Sequence, residues 1–258
     1  MSFLNKTLSS FGIGSVKVES LLSHEALCPG QTANIKVSVY GGGEEQEVDN
    51  IQLKLCCRYI KEGPFEQGEY QREHQEFVLM EWALPYAFTI AAKEERQFDV
   101  ELAIPWNTPI TISDTKVWLE TQFEIGQQTA STETQALTVR PDSLMDGVFS
   151  ALEHKGLKIR RVECEAVDGL SLPYVQEFEF VPTDGPYHGR WRELEVVFYY
   201  EPDGVQMWFE IDRHRDRNQG MLARLLSEGK LTHHLFVPLK SSQQQAGEKV
   251  VEYLEQTY

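Results

Sequence analysis

Apolar residues recur at every second position through most of this chain. Ile35, Val37 and Val39, then Ile51, Leu53 and Leu55, then Phe98, Val100, Leu102 and Ile104, then Val117, Leu119, Phe123 and Ile125 alternate with residues such as Gln52, Lys54, Glu101 and Glu124. A period of two belongs to a half-buried strand. Pro29-Gly30 suits a type II turn, because proline presets the first φ and glycine tolerates the positive second one, and Gly41-Gly42-Gly43 marks another reversal. No helix is needed between residues 15 and 140, so this stretch reads as an antiparallel β-sandwich of about seven strands.

The period then changes. Asp142 or Ser143 can cap a helix over 142–156, where Ser143 and Asp146 have capping-box spacing and Leu144, Val148 and Leu152, with Met145 and Phe149, form one apolar stripe ending at Gly156. Strands follow near 157–166, 174–181, 194–200, 205–212 and 231–239, with a short helix carrying Met221, Leu222, Leu225 and Leu226 between the last two. The fold class is therefore all-β: two antiparallel sandwich domains with a linking helix and short terminal helices. The expected domains are residues 1–140, with an N-terminal helix over 2–11, residues 141–240, and a C-terminal segment over 241–258. In that segment Ser241 to Gly247 reads as a polar linker, and Val250, Leu254 and Tyr258 form a stripe at helical spacing.

The hairpin at Pro202-Asp203-Gly204 fixes a register. Pairing Tyr200 with Val205 also pairs Phe198 with Met207, Val196 with Phe209 and Leu194 with Ile211, and a slip of one residue would bury the polar set instead. The opposite face then sets Glu195 across from Glu210 and Glu193 across from Asp212, with Glu177 and Glu179 extending the acidic surface if their strand lies alongside. Like charges so placed destabilise unless neutralised. Arginines such as Arg160 and Arg161 are the expected counter-charges, and a hard-cation site is the alternative. The same register gathers Arg190, Arg192, Arg213, Arg215 and Arg217 at the open end of the hairpin, either as internal counter-charge or as a docking site for an anionic partner.

Charge and motifs narrow the function. The chain has 258 residues and a net charge of −16, from 40 acidic against 24 basic residues, which repels nucleic acid and anionic membranes. Cys28, Cys56, Cys57 and Cys164 have neither metal-ligand nor disulfide-framework spacing, which fits free thiols in a reducing cytoplasm. No stretch has the length and apolarity of a signal peptide or a membrane span. His233 and His234 point to opposite strand faces, and Asp212, His214 and Asp216 are interleaved with arginines that oppose a cation. There is no HExxH, GxGxxG, P-loop or GxSxG, so no catalytic residue, metal or cofactor is assigned.

Several strings carry a family likeness: FGIGSVKV at 11–18, LCPGQ at 27–31, VDNIQLKL at 48–55, LPYVQEFEFVP at 172–182 and ELEVVF at 193–198. Together they resemble the bacterial sporulation-control protein M family, over roughly residues 2–239. The resemblance implies an arrestin-like pair of β-sandwiches, no catalysis, and a regulatory role through protein contacts. The expectation is a cytoplasmic, non-enzymatic adaptor with protein partners, and a homodimer stays open. One alternative is a peripheral membrane or cytoskeleton-associated scaffold using Leu4, Leu8 and Phe11 as contacts. Another is a divalent-cation or small-ligand binding module built on the acidic face.

Overall fold

The period of two is realised as strands. The computed structural model describes residues 6–13, 16–66, 69–125, 131–212, 226 and 233–257, and these are mostly β with two helices. They divide into two units, Met1–Cys57 with Glu76–Thr111 and Lys116–Arg140, and Arg58–Gln75 with Ile112–Thr115 and Pro141–Tyr258. The second unit thus takes in Arg58–Gln75 and Ile112–Thr115 as well as the C-terminal segment over 241–258.

The first unit is built from two sheets. One runs β1(Lys6–Ile13), β2(Val16–Leu22), β3(Thr32–Tyr40), β7(Glu95–Ala103), all antiparallel. The other places the first part of β4(Gln46–Glu66) beside β8(Val117–Ile125) and β9(Ser131–Ala136), with β6(Phe88–Ile90) and β5(Glu69–Ala83) also pairing with β4. Leu22, Ile35 and Leu102 of the first sheet line one small apolar void with Leu55 and Leu119 of the second, so the inner faces meet as in a sandwich. Each fully buried Leu, Ile or Val there contributes about 1.5–3 kcal/mol. Phe98 is only half-buried. Gly30 has φ +76°, as a type II turn requires, and a side chain there would collide with the Trp106 ring.

One expectation fails at the N-terminus. Lys6–Ile13 is a strand, paired from Lys6↔Leu22 to Ile13↔Val16, where a helix over 2–11 was expected. A lone helix of that length is marginal in water, whereas the exposed edge of β2 satisfies the backbone groups of a partner strand.

The second unit is a sheet in the order β14(His234–Pro238), β13(Gly204–Asp212), β12(Glu193–Glu201), β11(Tyr174–Pro182), β10(Leu157–Ala166), with β10 reaching β4 through Glu165↔Ile60. The register pairs Tyr200 with Val205, Phe198 with Met207, Val196 with Phe209 and Leu194 with Ile211, as the hairpin predicts. Helices cover the apolar face. In α1(Ser143–His154) Phe149 packs on Phe178, Phe180 and Phe198, and in α2(Gln243–Thr257) Tyr253 lies on Phe209.

Asp142 caps α1, accepting from Leu144 N at 2.7 Å and Met145 N at 3.4 Å, while Tyr200 Oη donates to its other oxygen. Ser143 is the first residue of the helix rather than its cap. Gln243 to Gly247 is helical, not linker, because Gly247 sits on α1. Asp146 accepts from Gln243 and Glu255 pairs with Lys155, so contacts advance in the same direction along both helices and the pair is parallel. Leu226 packs against Val167, Val175, Val197 and Tyr199, while Met221, Leu222 and Leu225 lie outside the described residues.

Candidate functional site

The face of the second sheet opposite the helices carries its most unusual chemistry. Cross-strand pairing lines up Arg161, Glu179, Glu195 and Glu210 in one row over β10 to β13. Glu163 stands beside Glu177 in the next row, and Glu193 beside Asp212. All come from the same alternation that buries Phe178, Phe180, Val196 and Phe209 on the other side. Glu165, Glu177, Glu179, Glu193, Glu195 and Asp212 are buried. Ionised carboxylates at such depth require partners.

Arginines supply many of them. Arg160 pairs with both Glu179 and Glu193. Arg192 pairs with Asp212 at 3.1 Å and approaches Glu193 at 3.8 Å, and its backbone N–H donates to the Asp212 carbonyl at 2.8 Å. Arg161 pairs with Glu163, and Arg72 of β5 donates to Glu163 at 2.5 Å and to Glu165 at 2.6 Å.

Two glutamates take another course. Burial, then the charges of Glu177, Glu193 and Glu210, push Glu195 up to about 8 against the opposing pull of Arg161. Its Oε2 is buried with no hydrogen-bond partner among the described residues. Glu195 is 6% exposed and is stabilised by holding its proton, not by a guanidinium. Burial, followed by a hydrogen bond to Glu163, also raises Glu165 to about 8. Burial would raise Glu163 too, but hydrogen bonds from Arg161, Arg72 and Glu165 outweigh it and hold Glu163 at about 2. The two side chains therefore share one proton, with Glu165 the donor.

Of the arginines gathered by the sequence, Arg192 is drawn into this layer and Arg190 is exposed in the turn before β12. Arg213, Arg215 and Arg217 lie outside the described residues. The sequence reading missed Arg72, Glu163 and Glu165. The two glutamates alternate within 157–166 just as Glu177 and Glu179 do, so the β10–β11 register would have found them. Arg72 leaves no local signal, since only the long β4–β5 arm brings it there. Among the described residues no three His, Cys, Asp or Glu side chains are grouped so as to hold a metal ion. Burial, then Glu120 and Glu76, push the Cys56 thiol up to about 12, which suppresses thiolate chemistry. Among the described residues no helix is long and apolar enough to cross a membrane.

Comparison with known proteins places this architecture. The sporulation-control protein spo0M of Bacillus subtilis (strain 168) is 32% identical over 233 residues, covering 89% of this chain and 88% of that protein. The crystal structure of Spo0M, sporulation control protein, from Bacillus subtilis superposes with a TM-score of 0.79 at 29% identity, over 95% of this chain and 99% of that one. The sequence profile described as SpoOM protein matches residues 4–215, and the chain belongs to the Spo0M family.

Proposed function

We propose that this chain is a cytoplasmic regulatory protein of the sporulation-control type that works by binding other proteins and not by catalysis. The observation that carries this reading is the extent of the likeness: the relative named for sporulation control is matched along 88% of its length, across segments of both units. The buried acids fit a scaffold role. Glu179, Glu193 and Asp212 are engaged by Arg160 and Arg192, Glu163 and Glu165 by Arg72, and Glu195 is held neutral. Groups so engaged are costly to redeploy on a substrate.

The test is replacement of the relative's chromosomal copy in Bacillus subtilis by this chain, followed by counting heat-resistant spores. Recovery of the wild-type spore count, together with photo-crosslinks to host proteins from surface positions, is the expected result. A folded, accumulating protein that leaves the spore count at the level of the deletion overturns the regulatory reading. Turnover of a small molecule by the purified chain overturns the non-enzymatic one.

A further inference from the structure

We infer that the outer edge of β7(Glu95–Ala103) is a docking site for an extended segment of a partner protein, one that alternates basic and apolar residues and joins the sheet as an added strand. The inference rests on the protein-contact reading above and names the surface and partner chemistry it would use. Among the described residues β3 is the strand that pairs with β7, so the sheet ends there. That end is regular. The β3–β7 register runs without a shift from Thr32↔Ala103 to Tyr40↔Glu95, and β7 contains no proline, glycine or lysine. Sheet proteins commonly blunt an edge with one of those residues or with a bulge.

The backbone of this edge is open. Gly41 donates its N–H to the Glu94 carbonyl at 2.7 Å and Ile104 donates to the Gln31 carbonyl at 2.8 Å, so the even-numbered residues of β7 bond to β3. Antiparallel alternation turns the N–H and C=O of Gln97, Asp99 and Glu101 the other way, toward an incoming strand. The inner flank is apolar: Phe98 is half-buried and packs on Phe88 with ring centroids 5.3 Å apart. An added strand would lay apolar side chains beside Phe98 and Val100 and basic ones beside Asp99 and Glu101. Main-chain hydrogen bonds to this row would provide affinity, and alternate side chains would provide selectivity.

Charge selects the occupant. Asp99 and Glu101 are exposed and hold no hydrogen bond or ion pair among the described residues, and Lys36, across from Asp99 on β3, does not pair with it. Arg96, the strand's one cation, is held by Glu94. Two β7 edges joined antiparallel would set Asp99 against Asp99, Glu95 against Glu101, or Asp99 against Glu101, according to register. Like charges directly opposite destabilise a strand pair, so a second copy is the wrong occupant. A strand bearing lysine or arginine complements both free carboxylates, which favours association and fixes register.

The test uses the full chain and an octapeptide of alternating lysine and valine carrying a fluorophore, with binding read by fluorescence anisotropy. The expected result is saturable binding, while the alternating glutamate–valine peptide stays free. In the inferred pairing the lysine N–H groups point at β7 and the valine N–H groups point away. Methylation of every lysine nitrogen in the peptide backbone should therefore abolish binding, and methylation of every valine nitrogen should leave it within twofold. Asp99→Lys with Glu101→Lys should weaken binding at least tenfold, whereas Glu44→Lys with Glu45→Lys, an equal charge change on an exposed loop, should leave it within twofold. Gln97→Pro, which removes one outward donor without changing charge, should weaken binding at least fivefold with the circular dichroism spectrum preserved.

No binding at millimolar peptide, equal loss with the two methylated peptides, or equal loss in the two charge-reversed pairs overturns the inference. The methylated peptides are read on the parent chain, so they decide the matter even if a variant fails to fold. A dimer in sedimentation analysis that dissociates on Gln97→Pro also overturns the inference, by assigning the edge to a second copy. Failure here with spore counts restored removes this edge alone. Loss of spore recovery with peptide pairing intact removes the regulatory reading and leaves the edge standing.

Discussion

Gly247 of α2 meets Gly147 of α1 backbone to backbone: a Cβ at position 247 would lie 2.6 Å from the Gly147 carbonyl oxygen and 2.7 Å from Ala151 Cβ. No side chain larger than hydrogen fits without moving a helix. The contact places Ala246, Val250 and Leu254 in the core, and it explains why a segment with low intrinsic helix stability is ordered.

Replacing Gly247 with valine should therefore destabilise the chain by about 1–3 kcal/mol, the usual cost of overpacking. Truncation after Lys240 should do more, because it uncovers Phe209 and the face beneath α2. Calorimetric melting of both variants measures this, and a truncated protein that melts with the parent would show that α2 contributes nothing.

Glu195 sets a pH dependence whose sign is opposite to that of an ion-paired carboxylate. The unfolded side chain ionises near 4.5 and the folded one near 8, so between these values the folded state holds the extra proton. Stability contributed by this group is present below pH 4.5 and is lost as pH rises toward 8. Glu195→Gln should flatten the urea-midpoint profile over that window and stabilise the protein at pH 8.5, by an amount on the order of a few kcal/mol. A steeper profile in the variant would contradict the assignment.

Glu163 carries the reverse dependence. Its folded value of about 2 means that its contribution is present above 4.5 and is lost as pH falls toward 2. Arg72→Met should reduce protection against acid unfolding, and an acid midpoint unmoved by more than 0.2 pH units, roughly the resolution of a stability difference of a few tenths of a kcal/mol, would count against Arg72 as the partner.

Arg160 is 41% exposed at its side chain but serves two carboxylates that are nearly closed off from water. Arg160→Met should cost about 1–3 kcal/mol, less than a wholly buried pair because solvent screens the outer part of the guanidinium. Lys17→Met, which removes an exposed surface pair with Glu19, should leave the denaturation midpoint where it is in the parent. Equal effects in chemical denaturation would mean that the carboxylate layer is solvated.

Phe209→Asp places a carboxylate beneath α2, between Val196 and Tyr253. Such a charge costs several kcal/mol. The expected outcome is loss of near-ultraviolet dichroism and collapse of the melting transition of the second unit.

The parts legible in the sequence are those with short-range causes. The β12–β13 register follows from a turn and eight apolar positions that agree on one face, and the acidic row across from it follows as arithmetic. The apolar stripes of α1 and α2 are equally plain. What covers the second sheet is not, because an apolar strand face is satisfied as well by helices as by another sheet, and only the Gly147–Gly247 approach shows that two helices fit side by side. Arg72 and the protonated state of Glu195 were hidden for related reasons. One depends on a partner 91 residues away, and the other on how many acids burial crowds around a single carboxyl.

The long arm formed by β4 and β5 has a consequence for biosynthesis. Arg58–Gln75 belongs to the second unit, yet the ribosome makes it before most of the first. Arg72 must wait for Glu163, 91 residues later, which at about 5–20 residues per second is a delay of roughly 5–20 s. During that interval Tyr59 lacks Tyr174, its stacking partner. Nascent chains of this protein therefore pass through a stage in which the hairpin is made but the strands it pairs and stacks with are not, and the demand for chaperones should peak in the middle of translation and fall when β10 and β11 emerge.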